Sequence, residues 1–170
     1  VKRQDKWGFI NKKNETMIPF MYDIFKPVHR FKKFYDYDRS LFLDFEGELC
    51  APVCYKGKWG FIDILNRTVI PFRYEDVCIN KNAETSKLFC VKANNLWGFI
   101  DKKRNMVIKF VFDNVRISAY NPKVYTVIQK EKFGTCKTYQ NYGLVDSVKG
   151  LIVPCKFRCE NFKRNNYAKY

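Results

Sequence analysis

The side chains in this chain with reactive potential are one histidine, seven cysteines, a recurring acid and several basic clusters. His29 could act as a general base or activate a cysteine, but no Ser/His/Asp or Cys/His motif surrounds it. A solvated loop histidine is the expectation. Cys50/Cys54 and Cys155/Cys159 share a Cys-x-x-x-Cys spacing. On a helix that spacing would put both sulfurs on one face. On a strand the pair lies about 13 Å apart, too far for one zinc ion with sulfur bonds of about 2.3 Å. Cys50 and Cys54 sit in a segment that reads as a strand, so no metal site and no cofactor are expected. Asp63, Asp101 and Asp146 recur at one turn position, where an acid serves as an Asx-type turn former. Asn11 fills that place in the first copy, which a general base could not tolerate. No catalytic residue emerges, and the chain is not expected to be an enzyme.

Basic clusters carry the functional signal. Lys12-Lys13 and Lys102-Lys103-Arg104 fall on equivalent turns, and stacked units would set them along one edge as a candidate phosphate-tracking stripe. Ile64-Leu65 and Ser147-Val148 interrupt that stripe in the other two copies. A second basic-aromatic candidate is Arg30, Phe31, Lys32, Lys33, Phe34 and Tyr35. Aromatic faces in a positive field suit single-stranded nucleic acid; a solvated rim over core aromatics is the plainer reading.

The elements that must position these groups are four copies of one phrase. They read Trp7-Gly8-Phe9-Ile10-Asn11, Trp59-Gly60-Phe61-Ile62-Asp63, Trp97-Gly98-Phe99-Ile100-Asp101 and Tyr142-Gly143-Leu144-Val145-Asp146. Twelve residues after each ring stand Pro19, Pro71, Lys109 and Pro154, while the copies begin 52, 38 and 45 residues apart. A fixed offset inside a variable period marks one supersecondary unit used four times. Each unit reads as a hairpin: a short strand rich in aromatic and branched residues, a polar turn, then a second apolar strand. Proline donates no ladder bond and should lie at a sheet edge or strand end. Asn14, Asn66, Asn105 and Gly150 suit the left-handed conformation a tight turn needs. Ahead of the next ring a third strand runs, in which Ala51, Val53, Phe89 and Val91 share one kind of face and Cys50, Cys54, Cys90 and Lys92 the other. The recurring indole rings are expected to fill the space between successive β layers.

The expected organisation is a single repeat domain over 1–170, with units at approximately 1–47, 48–86, 87–122 and 123–170 and an insert at about 26–45. No 3.6-residue periodicity is sustained, so helices should be few and short. An apolar content of 46% and an aromatic content of 18% exclude a disordered chain. No apolar run reaches the length of about 18 residues that a membrane helix needs. The net charge of +15 admits acidic partners, whether protein, nucleic acid or a membrane surface. The odd cysteine count and the absence of cysteines at matching repeat positions favour reduced thiols and a cytoplasmic location.

Aromatic-Gly-aromatic-Ile-Asp, a turn, Val-Ile-Pro and then Tyr-Asp together resemble the WG-repeat (KWG-repeat) family over nearly the whole chain, from Trp7 to about Phe157. The signature residues are Trp7, Gly8, Trp59, Gly60, Trp97, Gly98, Tyr142, Gly143, Pro19, Pro71 and Pro154, with Tyr22, Tyr74 and Phe112 following. The resemblance implies a mostly bacterial class of β-repeat arrays presumed to mediate interactions, with no catalytic residue to transfer. The expected fold is all-β, with tandem antiparallel hairpins stacked as an open solenoid or propeller-like array. The expected function is protein–protein interaction with an acidic partner. The alternative is a basic module for RNA or single-stranded DNA, and a third reading is a glycan-binding array.

Overall fold

Runs of aromatic and β-branched residues alternate with polar turns along this chain, and the runs form strands because such side chains pack well on a pleated surface. The computed structural model describes residues 1–26, 43–45, 48–79, 87–118, 121, 123–133 and 137–158. Among the described residues there are sixteen strands and no helix. The first sheet holds β1 (Lys2–Arg3), β2 (Lys6–Ile10) and β3 (Thr16–Tyr22), in that order. In the second, β4 (Ile24–Phe25), β6 (Glu48–Tyr55), β7 (Lys58–Asp63) and β8 (Thr68–Tyr74) run in sequence, and β5 (Leu43–Phe45) also pairs with β6. The third holds β9 (Asp76–Cys78), β10 (Phe89–Ala93), β11 (Leu96–Ile100) and β12 (Met106–Phe112). The fourth holds β13 (Asn114–Ile117), β14 (Val124–Phe133), β15 (Lys137–Asp146) and β16 (Gly150–Arg158). All pairings are antiparallel. The chain is all-β, as the repeats imply.

The chain passes from one sheet to the next at Asp23, Glu75 and Asp113. Their backbone N–H groups donate to Cys54 O, Lys92 O and Ile128 O of the following sheet, each at 2.8 Å. Their carboxylates then reach further along the same strand pair. Asp23 accepts from Gly57 N–H at 3.1 Å, Glu75 from Asn95 N–H at 2.9 Å, and Asp113 from Lys130 N–H at 2.6 Å. Gly57 and Asn95 close two-residue turns in which both central residues have positive φ (50° and 74° at Lys56-Gly57, 50° and 62° at Asn94-Asn95). That geometry matches the twist of the flanking strands, and the acid of the preceding unit ties it down.

Apolar residues fill the space between successive sheets. Phe9, Ile18 and Tyr22 of the first sheet meet Ala51, Val53 and Ile62 of the second. From the opposite face of the second sheet, Cys50, Cys54, Phe61 and Ile70 meet Val77, Phe89 and Val91 of the third. Cys90, Phe99 and Ile108 of the third meet Val115, Tyr125 and Val127 of the fourth. The alternation of Ala51 and Val53 against Cys50 and Cys54 is thus the period-2 pattern of a strand buried on both faces.

The indole rings are not the main filler. Trp59 is 6% exposed, but Trp7 and Trp97 are only partly buried at the rims of their clusters. The largest fully buried rings are Phe61, Phe89 and Phe99. Phe61 and Phe89 meet edge-on across the second and third sheets with centroids 4.7 Å apart. The phenylalanine two residues after each Trp points to the same face but lies deeper in the layer, so it takes the central position.

Pro19, Pro71 and Pro154 lie mid-strand, on β3, β8 and β16, each the outermost strand of its sheet. A bulge accommodates them. Trp59 pairs with Tyr74 and Phe61 with Ile70, so Gly60 alone faces Pro71, Phe72 and Arg73. Gly8, Gly98 and Gly143 stand in the same relation to their partner strands. The ring of Phe72 folds back over the glycine: a Cβ at Gly60 would stand 2.6 Å from Ile70 O and 2.8 Å from Phe72 Cδ1. The Trp-Gly signature is therefore a steric requirement of the bulge.

Candidate binding surface

The turns that carry the basic clusters are built by the residue after each Phe-Ile or Leu-Val pair. Asn11 Oδ1 accepts from Lys13 and Glu15 N–H, both at 2.9 Å. Asp63 Oδ1 accepts from Leu65 and Arg67 N–H at 2.9 and 2.8 Å, Asp101 Oδ1 from Asn105 N–H at 2.8 Å, and Asp146 Oδ1 from Val148 and Lys149 N–H at 2.8 and 3.0 Å. Burial pushes the Asp63 carboxyl up, but the bonds from Arg67 and the Leu65 amide outweigh it and hold the group below the usual carboxylate range. The Asn105 side chain does the same for Asp101. These carboxylates are engaged by their own turns, which is the Asx geometry their spacing suggests.

Each turn then needs one left-handed residue. Asn14, Asn66 and Gly150 take it, with φ of 64°, 63° and 86°. In the third unit the residue is Arg104, at φ 72°, and not Asn105. Arg104 stands seven residues after Trp97, as Asn14 and Asn66 do after their rings. A long, branched-headed side chain held in this conformation is uncommon and strained.

Lys12, Lys13, Lys103 and Arg104 are exposed and Lys102 is half-buried. In the second unit Ile64 and Leu65 break the basic run at the same turn, 47% and 64% exposed. What the structure adds is a cleft of about 390 Å³ between the second and third sheets, lined by Arg73, Tyr74, Asn94, Arg104, Met106 and Phe110 among others. Arg73 comes from the bulge of β8 and donates from Nη2 to the Tyr74 hydroxyl at 3.0 Å, its guanidinium carbon 5.2 Å from the centroid of that ring. Arg104 enters from the turn of the next hairpin. Two exposed arginines from adjacent units thus line one cleft with apolar side chains in its wall, and arginine is the side chain suited to bidentate capture of a carboxylate or phosphate.

Lys12 and Lys13 are not part of this cleft, and Lys102 and Lys103 do not line it. Arg30, Phe31, Lys32, Lys33, Phe34 and Tyr35, with His29, lie outside the described residues, as do Cys136 and Cys159. Arg73 escapes sequence reasoning because Met21, Val111 and Lys156 occupy the same place in the other copies. Its signal is positional: it is the last of the three residues opposite the glycine. A second cleft of about 430 Å³ on the fourth sheet is lined by Gln129, Lys130, Glu131, Asn141, Cys155 and Lys156. Its charges are mixed, so it lacks a single-sign field. Among the described residues no group of three or more potential metal ligands gathers, and no helix is long and apolar enough to cross a membrane.

Four antiparallel sheets, joined by identical hand-overs and bulged at a recurring aromatic-Gly pair, define an all-β tandem-repeat module. A family model described as WG containing repeat matches residues 7–31, 59–97 and 97–130, and the chain belongs to that family. The unit around Tyr142 lies beyond those matches, yet pairs Tyr142 with Phe157 through the same bulge. No curated protein and no solved structure matches the chain.

Proposed function

We propose that this chain is a non-enzymatic, cytoplasmic binding module that captures an acidic protein segment, with the Arg73–Arg104 cleft as the central contact and the basic turns as its rim. The observation that carries the reading is that arginines from two different units, Arg73 and Arg104, line one groove. The net charge of +15 supports it by raising the encounter rate with acidic partners. Carboxylates suit two arginines by charge, while the aromatic surface for stacking is small: the Tyr74 ring is 3% exposed and Phe110 is half-buried.

The test is titration of a fluorescent Glu/Asp-rich peptide against the whole chain, the Arg73→Ala variant and the Arg104→Ala variant. Loss of one charge-assisted contact should weaken binding by roughly tenfold in each variant. Equal affinity for all three proteins would remove the cleft from the interface. A single-stranded oligonucleotide is the competing probe. If it binds more tightly than the peptide, with log affinity falling by about 0.7 per phosphate on log salt, nucleic acid replaces protein as the partner.

A further inference from the structure

Cys78 and Cys90 stand directly opposite each other where β9 pairs with β10, flanked by the pairs Val77–Val91 and Asp76–Lys92. Side chains of directly opposed residues leave the sheet on the same side. Opposed Cα atoms in an antiparallel pair lie about 4.5–5.5 Å apart, inside the span of about 4.4–6.8 Å that a disulfide bridges. Both cysteines are free thiols, Cys90 fully buried and Cys78 partly exposed. We propose that the two form a redox site, which a low-molecular-weight disulfide converts into a cross-strand bond fastening β9 to β10.

The two sulfurs are unequal in a way that assigns the steps. The Cys90 thiol hydrogen-bonds to the Cys78 sulfur, which lowers the Cys78 pKa against its burial, and the nearby Lys26 ammonium lowers it further. Lys26 is fixed there: its Nζ donates to Val77 O at 2.9 Å, pairs with Asp76 and lies 4.5 Å from the Trp59 ring centroid. Asp76 works in the opposite sense on both sulfurs, and burial pushes the Cys90 thiol well up. Cys78 is therefore the accessible nucleophile. Its thiolate attacks one sulfur of the small disulfide, that S–S bond breaks, and the first small thiolate leaves and takes up the proton Cys78 gave to solvent. Cys90 then loses its proton, attacks the Cys78 sulfur of the mixed disulfide, and expels the second small thiol. Two cysteine thiols are oxidised, one external disulfide is reduced to two thiols, and the balance closes. In the fourth sheet Arg116 and Thr126 occupy the matching cross-strand positions.

The test exposes the folded full-length chain to oxidised glutathione, traps remaining thiols with an alkylating reagent and maps peptides by mass. The expected product is a Cys78–Cys90 linked peptide pair, reversed by reduced glutathione. In the Cys90→Ala variant Cys78 should stop at the glutathione adduct. In Cys78→Ala, Cys90 should be modified roughly tenfold more slowly than Cys78 is in the parent. The parent protein decides the matter even if a variant fails to fold. A stable Cys78 adduct with Cys90 still reduced, a bridge from Cys78 to any other cysteine, or no reaction in the folded chain would overturn the proposal.

Discussion

The Tyr22 hydroxyl donates to Asn66 Oδ1 at 2.6 Å, joining the last strand of the first sheet to the hairpin turn of the second. Asn66 therefore holds the left-handed turn and receives the neighbouring sheet at once. Tyr22→Phe should lower unfolding free energy by about 0.5–1.5 kcal/mol in urea titration. Phe112 already fills the equivalent place in the third unit, so the ring alone is tolerated by this architecture. An unchanged midpoint would mean that the bond contributes nothing in solution.

Gly60→Ala tests the bulge. The added carbon would meet the carbonyl oxygen of Ile70 at 2.6 Å, a backbone atom that cannot swing away as a flexible side chain can. A loss of about 1–3 kcal/mol is expected. Gly57→Asn is the control, since nothing lies within 4 Å of its Cβ position and asparagine tolerates the positive φ. If both variants melt alike, close approach is not what the Trp-Gly pair provides.

Arg104→Asn should separate stability from binding. Asparagine relieves the strain at φ 72°, with an expected gain of up to about 1 kcal/mol. The same change removes one guanidinium from the cleft and should weaken the acidic-peptide probe. A variant that is both less stable and equally tight would contradict the two assignments together.

Trp59→Ala should cost about 3–5 kcal/mol, because the ring is 6% exposed and also lies beneath the Lys26 ammonium. Trp97→Ala should cost less, its ring being only partly buried. Thermal denaturation of the two variants side by side gives the order, and the reverse order would refute the placement of the rings.

Asp23 predicts acid sensitivity. Its hydrogen bond with Lys6 and the amide of Gly57 hold its carboxyl below the usual range. A depressed folded-state pKa stabilises the native form fully above the unfolded carboxyl value of about 3.9 and loses that contribution as pH falls through the lower folded value. The pair with Lys6 is partly exposed, so solvent screening keeps the contribution to about 1 kcal/mol or less. Asp23→Asn should flatten the stability profile below about pH 4, as read by chemical denaturation across that window. A parallel profile at lower absolute stability would assign the acid response elsewhere.

The hairpins, their turns and the inward faces were legible because they depend on short periods. Trp59, Phe61 and Ile62 announce a strand by residue type, and Ala51 with Val53 against Cys50 with Cys54 announces its two buried faces. The left-handed residue of the third unit is Arg104, one position before Asn105, although asparagine is the residue type that suits such a turn better. The depth of Phe61 relative to Trp59 depends on the neighbouring sheet, and ring size alone pointed to the tryptophan. The placement of Arg73 and Arg104 on one cleft is illegible for a similar reason: it requires the bulge, the turn and the approach of two sheets together.

The passage of the chain at Asp23, Glu75 and Asp113 has a mechanical result. Because β4, β9 and β13 complete the sheet that follows, no sheet consists only of the residues between two successive Trp-Gly motifs. Excising the residues between two motifs would amputate two strands of the following sheet, β4 with β6, β9 with β10 or β13 with β14, and bare the N–H and C=O row of β7, β11 or β15. Disorder begun in one sheet must then run into the next, so the array should melt as a unit rather than shed its members singly.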